Sequence, residues 1–344
     1  MNKDDWKLLC DIVDFKKLGA APVGFIIDSP WLPEWYDVSH MNFYRQDNTW
    51  LNANLKAIQK FSDVMFLPGF WAEFGMCTEP SAFGSKPIWS ENDTPHPAKV
   101  ISDIEKVDKL EKPDPEKHGL LPFVLNRLEY NKDKINNEGH QIKFAVARGP
   151  FNIAAYLVGH TEFLVSLKSK PDKAKKLIEL VSEFIVDWLQ VQKARFKSIE
   201  GIFVLDDIIG FVNEDDFREF ALPYFKEIYD AFDTKINFLH NDMESLIPAN
   251  YLNEIGVNLY NFSHEHSFKK VQKITNEKVA LVGNIPPRDI LAEGTPEEIK
   301  NHVKKAINSV VNLKGILLSC GGGMPPGVTS ENINAFVDAV KENI

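Results

Sequence analysis

Along the chain, short runs of apolar and β-branched residues alternate with longer segments whose apolar positions fall three and four apart. That alternation predicts parallel strands joined by helices. Eight such runs occur: 21–29 (APVGFIIDS), 63–70 (DVMFLPGF), 142–149 (IKFAVARG), 201–207 (GIFVLDD), 235–242 (KINFLHND), 257–263 (VNLYNFS), 279–284 (VALVGN) and 315–320 (GILLSC). Eight is the number that closes a (β/α)8 barrel. A doubly wound open sheet would carry a Gly-rich phosphate turn after its first strand, and none stands there. The fold class expected is therefore α/β, a single (β/α)8 barrel over residues 1–344. It carries an N-terminal helix within Met1–Gly19.

The connections bear helix signals. Segment 161–199 has an apolar stripe at helical spacing. NEDDFREF opens 213–231 with a capping Asn and acidic residues in the first turn. TPEEIKNHV opens 295–311 with Thr as cap and Pro at the first helical position. SENINAFVDAV, from Ser330, starts the last helix. One connection is far longer than the rest. Residues 71–141 hold GSKPIWSENDTPHP, a Pro-rich charged stretch and a helical pattern from Leu120. An insertion of that length at a strand's C-terminal end reads as a lid or pocket wall.

Composition narrows the classes. With 344 residues, 44% hydrophobic, the chain can bury a large core, and its net charge of −10 argues against nucleic acid and anionic membranes as partners. Three cysteines, Cys10, Cys77 and Cys320, form no disulfide framework. No apolar run has the length of a membrane span. A soluble, cytoplasmic protein is expected.

Strand interiors are apolar, but their C-terminal ends are polar: Asp28, Arg148, Asp206 with Asp207, His240 with Asp242, Ser263 with His264, Asn284 and Cys320. In a barrel these ends ring one mouth, where barrel active sites lie. His240 and Asp242, two apart on an extended segment, project to one side and can grip one metal ion or share one proton. Cys320 precedes Gly321-Gly322-Gly323. A thiolate, an imidazole and a carboxylate around an open position make a zinc set; the plainer alternative is that Cys320 is a small buried hydrophobe. Of Asp206 and Asp207, one enters the mouth and the other caps the following turn, because neighbouring strand residues face opposite ways. Arg148 is either an anion clamp or the partner of one of these acids. The aromatic stretch PGFWAEFGMCTEPSAFG, containing Glu79, is either a packed loop or a wall for a flat ligand.

Taken together, RGPFNIAAYLVGHTEFL (148–164), DDIIGFVNEDDFREFALPYFKEI (206–228), FLHND (238–242), GVNLYNF (256–262), VGNIPP (282–287) and CGGGMPPGVTSENINAFV (320–337) resemble the uroporphyrinogen decarboxylase superfamily. Within it they resemble the corrinoid-dependent, zinc-containing methyltransferases. True decarboxylases of this type carry an Arg-rich N-terminal motif for the porphyrinogen carboxylates; here the stretch reads FIIDSPWLPEWYDVS, without Arg. The methyltransferase zinc motif is His-x-Cys with a later Cys near a Gly-rich turn. His240 and Cys320 match its ends, and Asp242 stands in the middle position.

The resemblance implies Zn2+ on His240, Asp242 and Cys320, a corrinoid carried by a partner protein, and a small methylated substrate. It implies Asp206, Asp207 and His240 as catalytic groups. It implies Arg148, Asn152, Tyr156, Glu79, His264 and Asn284 as substrate contacts. The activity expected is transfer of an O-methyl or N-methyl group to Co(I). Alternatives are transfer from methyl-corrinoid to a thiol or tetrahydrofolate, porphyrinogen-type decarboxylation, a metal-free lyase using Asp206 and His240, and a non-catalytic binder of the corrinoid partner.

Overall fold

The computed structural model describes residues 1–310 and 312–343. Its strands are β1 (Val23–Ile26), β2 (Val64–Leu67), β3 (Phe144–Arg148), β4 (Gly201–Leu205), β5 (Ile236–Asn241), β6 (Leu259–Phe262), β7 (Ala280–Ile285) and β8 (Ile316–Cys320). Each lies within one of the eight expected runs, except that β7 runs one residue past its run. All pair in parallel, in the order β2-β1-β8-β7-β6-β5-β4-β3, a sheet curled as in a (β/α)8 barrel. A small antiparallel pair, Pro87–Ile88 with His96–Pro97, lies in the insertion. Among the described residues no helix is long and apolar enough to cross a membrane.

Side-chain parity sorts each strand into two rows. One row fills the barrel: Ile26, Met65, Leu67, Phe144, Phe203, Ile236, Phe238, Leu259, Ala280, Val282 and Leu317. Phe203 and Phe238 stack at 4.3 Å in its centre. Helix α1 (Lys3–Val13) closes the bottom of this interior with Trp6, Leu9 and Ile12. The other row, including Ile202, Val204, Leu239, Ile316, Leu318 and Cys320, packs under the surrounding helices.

The helical stripe expected over 161–199 forms two helices, His160–Ser169 and Pro171–Arg195. Pro171 lacks an N–H and restricts the residue before it, so Lys170 leaves the helical region at φ −146°. Asn213 caps its helix through the Asp216 N–H, and Thr295 with Glu298 forms a reciprocal capping box. The segment expected to end at Val311 is helical over Pro296–Asn308, and Val311 itself lies outside the described residues.

β2 and β3 share no ladder among the described residues. Side chains complete this seam. Gln192 accepts from the Val146 N–H (3.0 Å) and donates to its carbonyl (2.9 Å), standing in for a neighbouring strand. Glu79 accepts the next inward-facing N–H, that of Arg148, at 3.1 Å. Part of the exposed backbone of the edge strand is thereby satisfied.

Candidate active site

The interior row continues past the apolar core into the mouth. Counting by twos from Phe203 reaches Leu205 and Asp207; from Phe238 it reaches His240 and Asp242; from Leu259 it reaches Asn261. Pairing aligns Leu205 with His240 and His240 with Asn261. Three of these side chains converge. Ligand atoms of Asp207, His240 and Asp242 lie within 4.8 Å of one another. His240 Nε2 is 3.5 Å from Asp207 Oδ1, which also accepts the Asp242 N–H at 3.3 Å.

Asn261 decides how the imidazole is presented. Its Nδ2 donates to the Val282 carbonyl (2.9 Å) and the Cys320 carbonyl (3.3 Å), so its Oδ1 must act as acceptor. That oxygen is 2.7 Å from His240 Nδ1. Nδ1 therefore carries a proton, and Nε2 is the ring atom turned toward the two carboxylates. Asn261 is fully buried. Sequence reasoning passed over it, although it is a polar residue inside the apolar run NLYNF.

The two aspartates after β4 divide as parity requires. Asp206, expected among the catalytic acids, points outward and is not on the cavity wall. Its carboxylate accepts the N–H groups of Phe151 (2.8 Å), Asn152 (3.2 Å) and Ile209 (3.4 Å). It thus caps the start of the helix Pro150–Val158 as well as its own turn. A Cβ on Gly149 would fall 2.4 Å from Asp206 Oδ2, so glycine is required there. Burial pushes the Asp206 carboxyl up to about 8 despite those N–H groups. Asp207 is the acid that enters the mouth, and desolvation, with Asp242 beside it, raises its carboxyl also.

Cys320 does not join the three. It follows Ile316 and Leu318 on the outward row of β8 and is fully buried. Its Sγ donates to the Gly322 carbonyl at 3.3 Å, and burial pushes the thiol up to about 12. Asp207 takes the position expected for it. The Gly-rich turn serves Asp242 instead: a Cβ on Gly322 would lie 2.6 Å from Asp242 Oδ2.

Two carboxylates and an imidazole lone pair, with no Lys or Arg paired to either carboxylate among the described residues, fit a divalent cation such as zinc. They face a cavity of about 280 Å3, at the small end for ligand sites. Its wall includes Asp28, Trp71, Met76, Arg148, Asn152 and Arg288. Trp71 and Met76 belong to the aromatic stretch offered as a pocket wall, whereas Arg288, on the short helix Pro287–Ala292, carried no signal in the sequence.

A second acidic group flanks the cavity. Arg148 Nη1 pairs with Glu73 Oε2 at 3.0 Å, both nearly fully buried, and the guanidinium lies 5.9 Å from the Trp71 ring centre. Glu73 also accepts from Ser29 Oγ at 3.3 Å. Burial, then the nearby Glu73, drives the Asp28 carboxyl well above its ordinary range. Arg148 thus partners an acid while also lining the cavity. Asn152 lines the cavity but spends its Oδ1 on the Asp207 and Ile208 N–H groups, at 3.1 Å each. Glu79 sits at the seam, off the cavity wall. Tyr156 packs edge-on against His160 at 5.3 Å, and burial pushes its phenol up to about 12. His264 is held 3.7 Å from Glu265, and Asn284 donates to the His266 carbonyl. The structure does not bring Glu79, Tyr156, His264 or Asn284 onto the wall of this cavity.

The barrel with its polar C-terminal mouth defines an enzyme class in which strand ends supply the chemistry. The chain belongs to the uroporphyrinogen decarboxylase (URO-D) family, whose model matches residues 37–343. One relative, at 26% identity over 82% of this chain and 78% of its own, is the uroporphyrinogen decarboxylase of Chloroherpeton thalassium. Another, at 25% identity over 78% of this chain and 71% of its own, is the methylated-thiol–coenzyme M methyltransferase of Methanosarcina mazei. A solved methyltransferase from Methanosarcina mazei shares the fold with a TM-score of 0.79 at 19% identity, covering 98% of this chain and 97% of that one.

Proposed function

We propose that this chain is a zinc-dependent methyltransferase that passes a methyl group from a small O-methyl or N-methyl substrate to the Co(I) corrinoid of a partner protein. The observation that carries the reading is the convergence of Asp207, His240 and Asp242 on one face of a small cavity. The methyltransferase relative supports it at the level of reaction class. Zinc held by these three residues would supply Lewis acidity toward the methyl-bearing heteroatom.

The chain's own groups account for the rest. Asn261 holds His240 in the tautomer that leaves Nε2 free. Asp28, favoured in its protonated form and lining the cavity, can give its proton to the leaving heteroatom. The balance is then closed: the C–O or C–N bond breaks, a methyl–cobalt bond forms, and the departing oxygen or nitrogen takes the Asp28 proton. Met324, Pro325, Pro326 and Trp71 give this cavity its apolar lining.

The test mixes the zinc-loaded chain with a reduced corrinoid protein and screens methoxylated aromatics, methylamines and methylated thiols. Methyl-corrinoid should form with one donor class, and His240→Ala should abolish it. The reading fails if purified protein binds no metal and no donor methylates the corrinoid.

Decarboxylation is the second reading, because relatives of that name match the chain. Of the two arginines on the cavity wall, Arg148 is already spent on Glu73. That leaves Arg288 to meet a substrate bearing many carboxylates. Release of CO2 from uroporphyrinogen by the purified chain would favour this reading over methyl transfer.

A further inference from the structure

We propose a second ligand site, separate from the barrel mouth, built to take a planar aromatic carboxylate. A cavity of about 540 Å3 opens between the helices His40–Arg45 and Leu121–Asn137. Its apolar wall comprises Met41, Tyr44, Phe74, Trp89, Phe123 and Tyr130. Tyr44 and Phe74 stack at 5.9 Å, and Trp89 stands edge-on to both, at 5.9 Å and 6.4 Å. Trp89, Phe123 and Tyr130 are 40%, 61% and 64% exposed, half of the six large apolar side chains exposed among the described residues. Aromatic surface left open and gathered at one hollow marks a binding site. Rings in this arrangement offer faces and edges to another flat ring.

The polar groups choose the ligand's charge. Arg127 is 4% exposed and lines the floor. Its Nε donates to Asp47 Oδ1 at 2.8 Å and its Nη2 to the Tyr44 carbonyl, while Nη1 has no partner. Arg45, at the rim, touches Asn42 Oδ1 at 2.9 Å and forms no ion pair among the described residues. Asp47, the acid on the wall, is spent on Arg127. Each group left over can donate, and two guanidinium charges face one carboxylate. A ligand that fits must therefore bring acceptors and negative charge together with a flat apolar body. A carboxylated single ring meets both demands.

The site does not depend on the metal centre or on the proposed methyl transfer. The experiment is calorimetric titration of the full chain with benzoate, benzyl alcohol and benzylamine. Benzoate should bind saturably, about tenfold more tightly than benzyl alcohol, with benzylamine weaker still. Trp89→Ala and Arg45→Gln should each weaken benzoate by about tenfold while leaving the melting temperature unchanged, since both side chains are substantially exposed. His240→Ala should leave benzoate binding intact. The proposal is overturned if benzoate does not bind, if benzylamine binds as tightly, or if His240→Ala removes binding that Trp89→Ala leaves untouched.

Discussion

Two acidic clusters share one barrel mouth, and they differ in what balances them. At the seam between β2 and β3, Glu73 is neutralised by Arg148, and Glu79 takes the Arg148 N–H. Across the mouth, Asp207 and Asp242 have the His240 imidazole between them and no lysine or arginine paired to them among the described residues. Buried or half-buried carboxylates are costly unless paired. The protein brings its own cation to the first cluster; under the proposed function the second would take one from outside. The Arg148–Glu73–Glu79 set therefore holds the seam, and in the proposed function Asp207 and Asp242 form the set open to a metal.

Substitutions that exchange these roles test the contrast. Arg148→Met strands Glu73 and should cost about 3–5 kcal/mol of folding stability, read from urea denaturation. Adding Glu73→Gln should recover part of that loss. If Arg148→Met proves neutral, the seam is not held by its ion pair. At the metal-facing cluster, Asn261→Leu leaves the His240 ring free to take either tautomer. It should weaken zinc binding by about 10- to 100-fold in a chelator competition, with the fold kept.

Acidity sharpens the comparison. The Asp207 carboxyl is raised by desolvation and by Asp242, from 3.8 to about 6. A raised carboxyl holds its proton more tightly in the folded than in the unfolded chain. Asp207 therefore supports the metal-free fold below pH 4, and that contribution is lost as pH rises through 6. Asp207→Asn should flatten this slope and stabilise the metal-free protein near pH 7 by about 1 kcal/mol, after discounting for its partial exposure. Zinc binding should run the other way in the wild type, weakening as pH falls through 6 and protons compete. Thermal melts and zinc titrations across pH 4–8 read both.

Much of this was legible in the residues. Eight apolar runs located eight strands, because parallel strands buried on both faces leave continuous hydrophobic stretches. His240 and Asp242 announced themselves by their spacing. What the linear pattern could not show was which parity faces inward. That one fact separates Asp207 from Asp206 and sends Cys320 outward with Ile316 and Leu318. The groups held by Asp206 lie about 55 residues away. Likewise, Gln192 and Glu79 reach the seam from distant helices, and no local signal predicts such long-range substitutions for a strand. The smallest effect follows from parity: Cys320→Ser should leave zinc affinity nearly unchanged, and a large loss would return the thiol to the metal set.

The most direct test is the metal content of purified protein, wild type beside Asp207→Asn and His240→Ala, by elemental analysis. The wild type should carry one zinc per chain, and both variants should lose it. Zinc absent from the wild type, or retained in Asp207→Asn, would contradict the assignment of the unbalanced cluster to a metal ion.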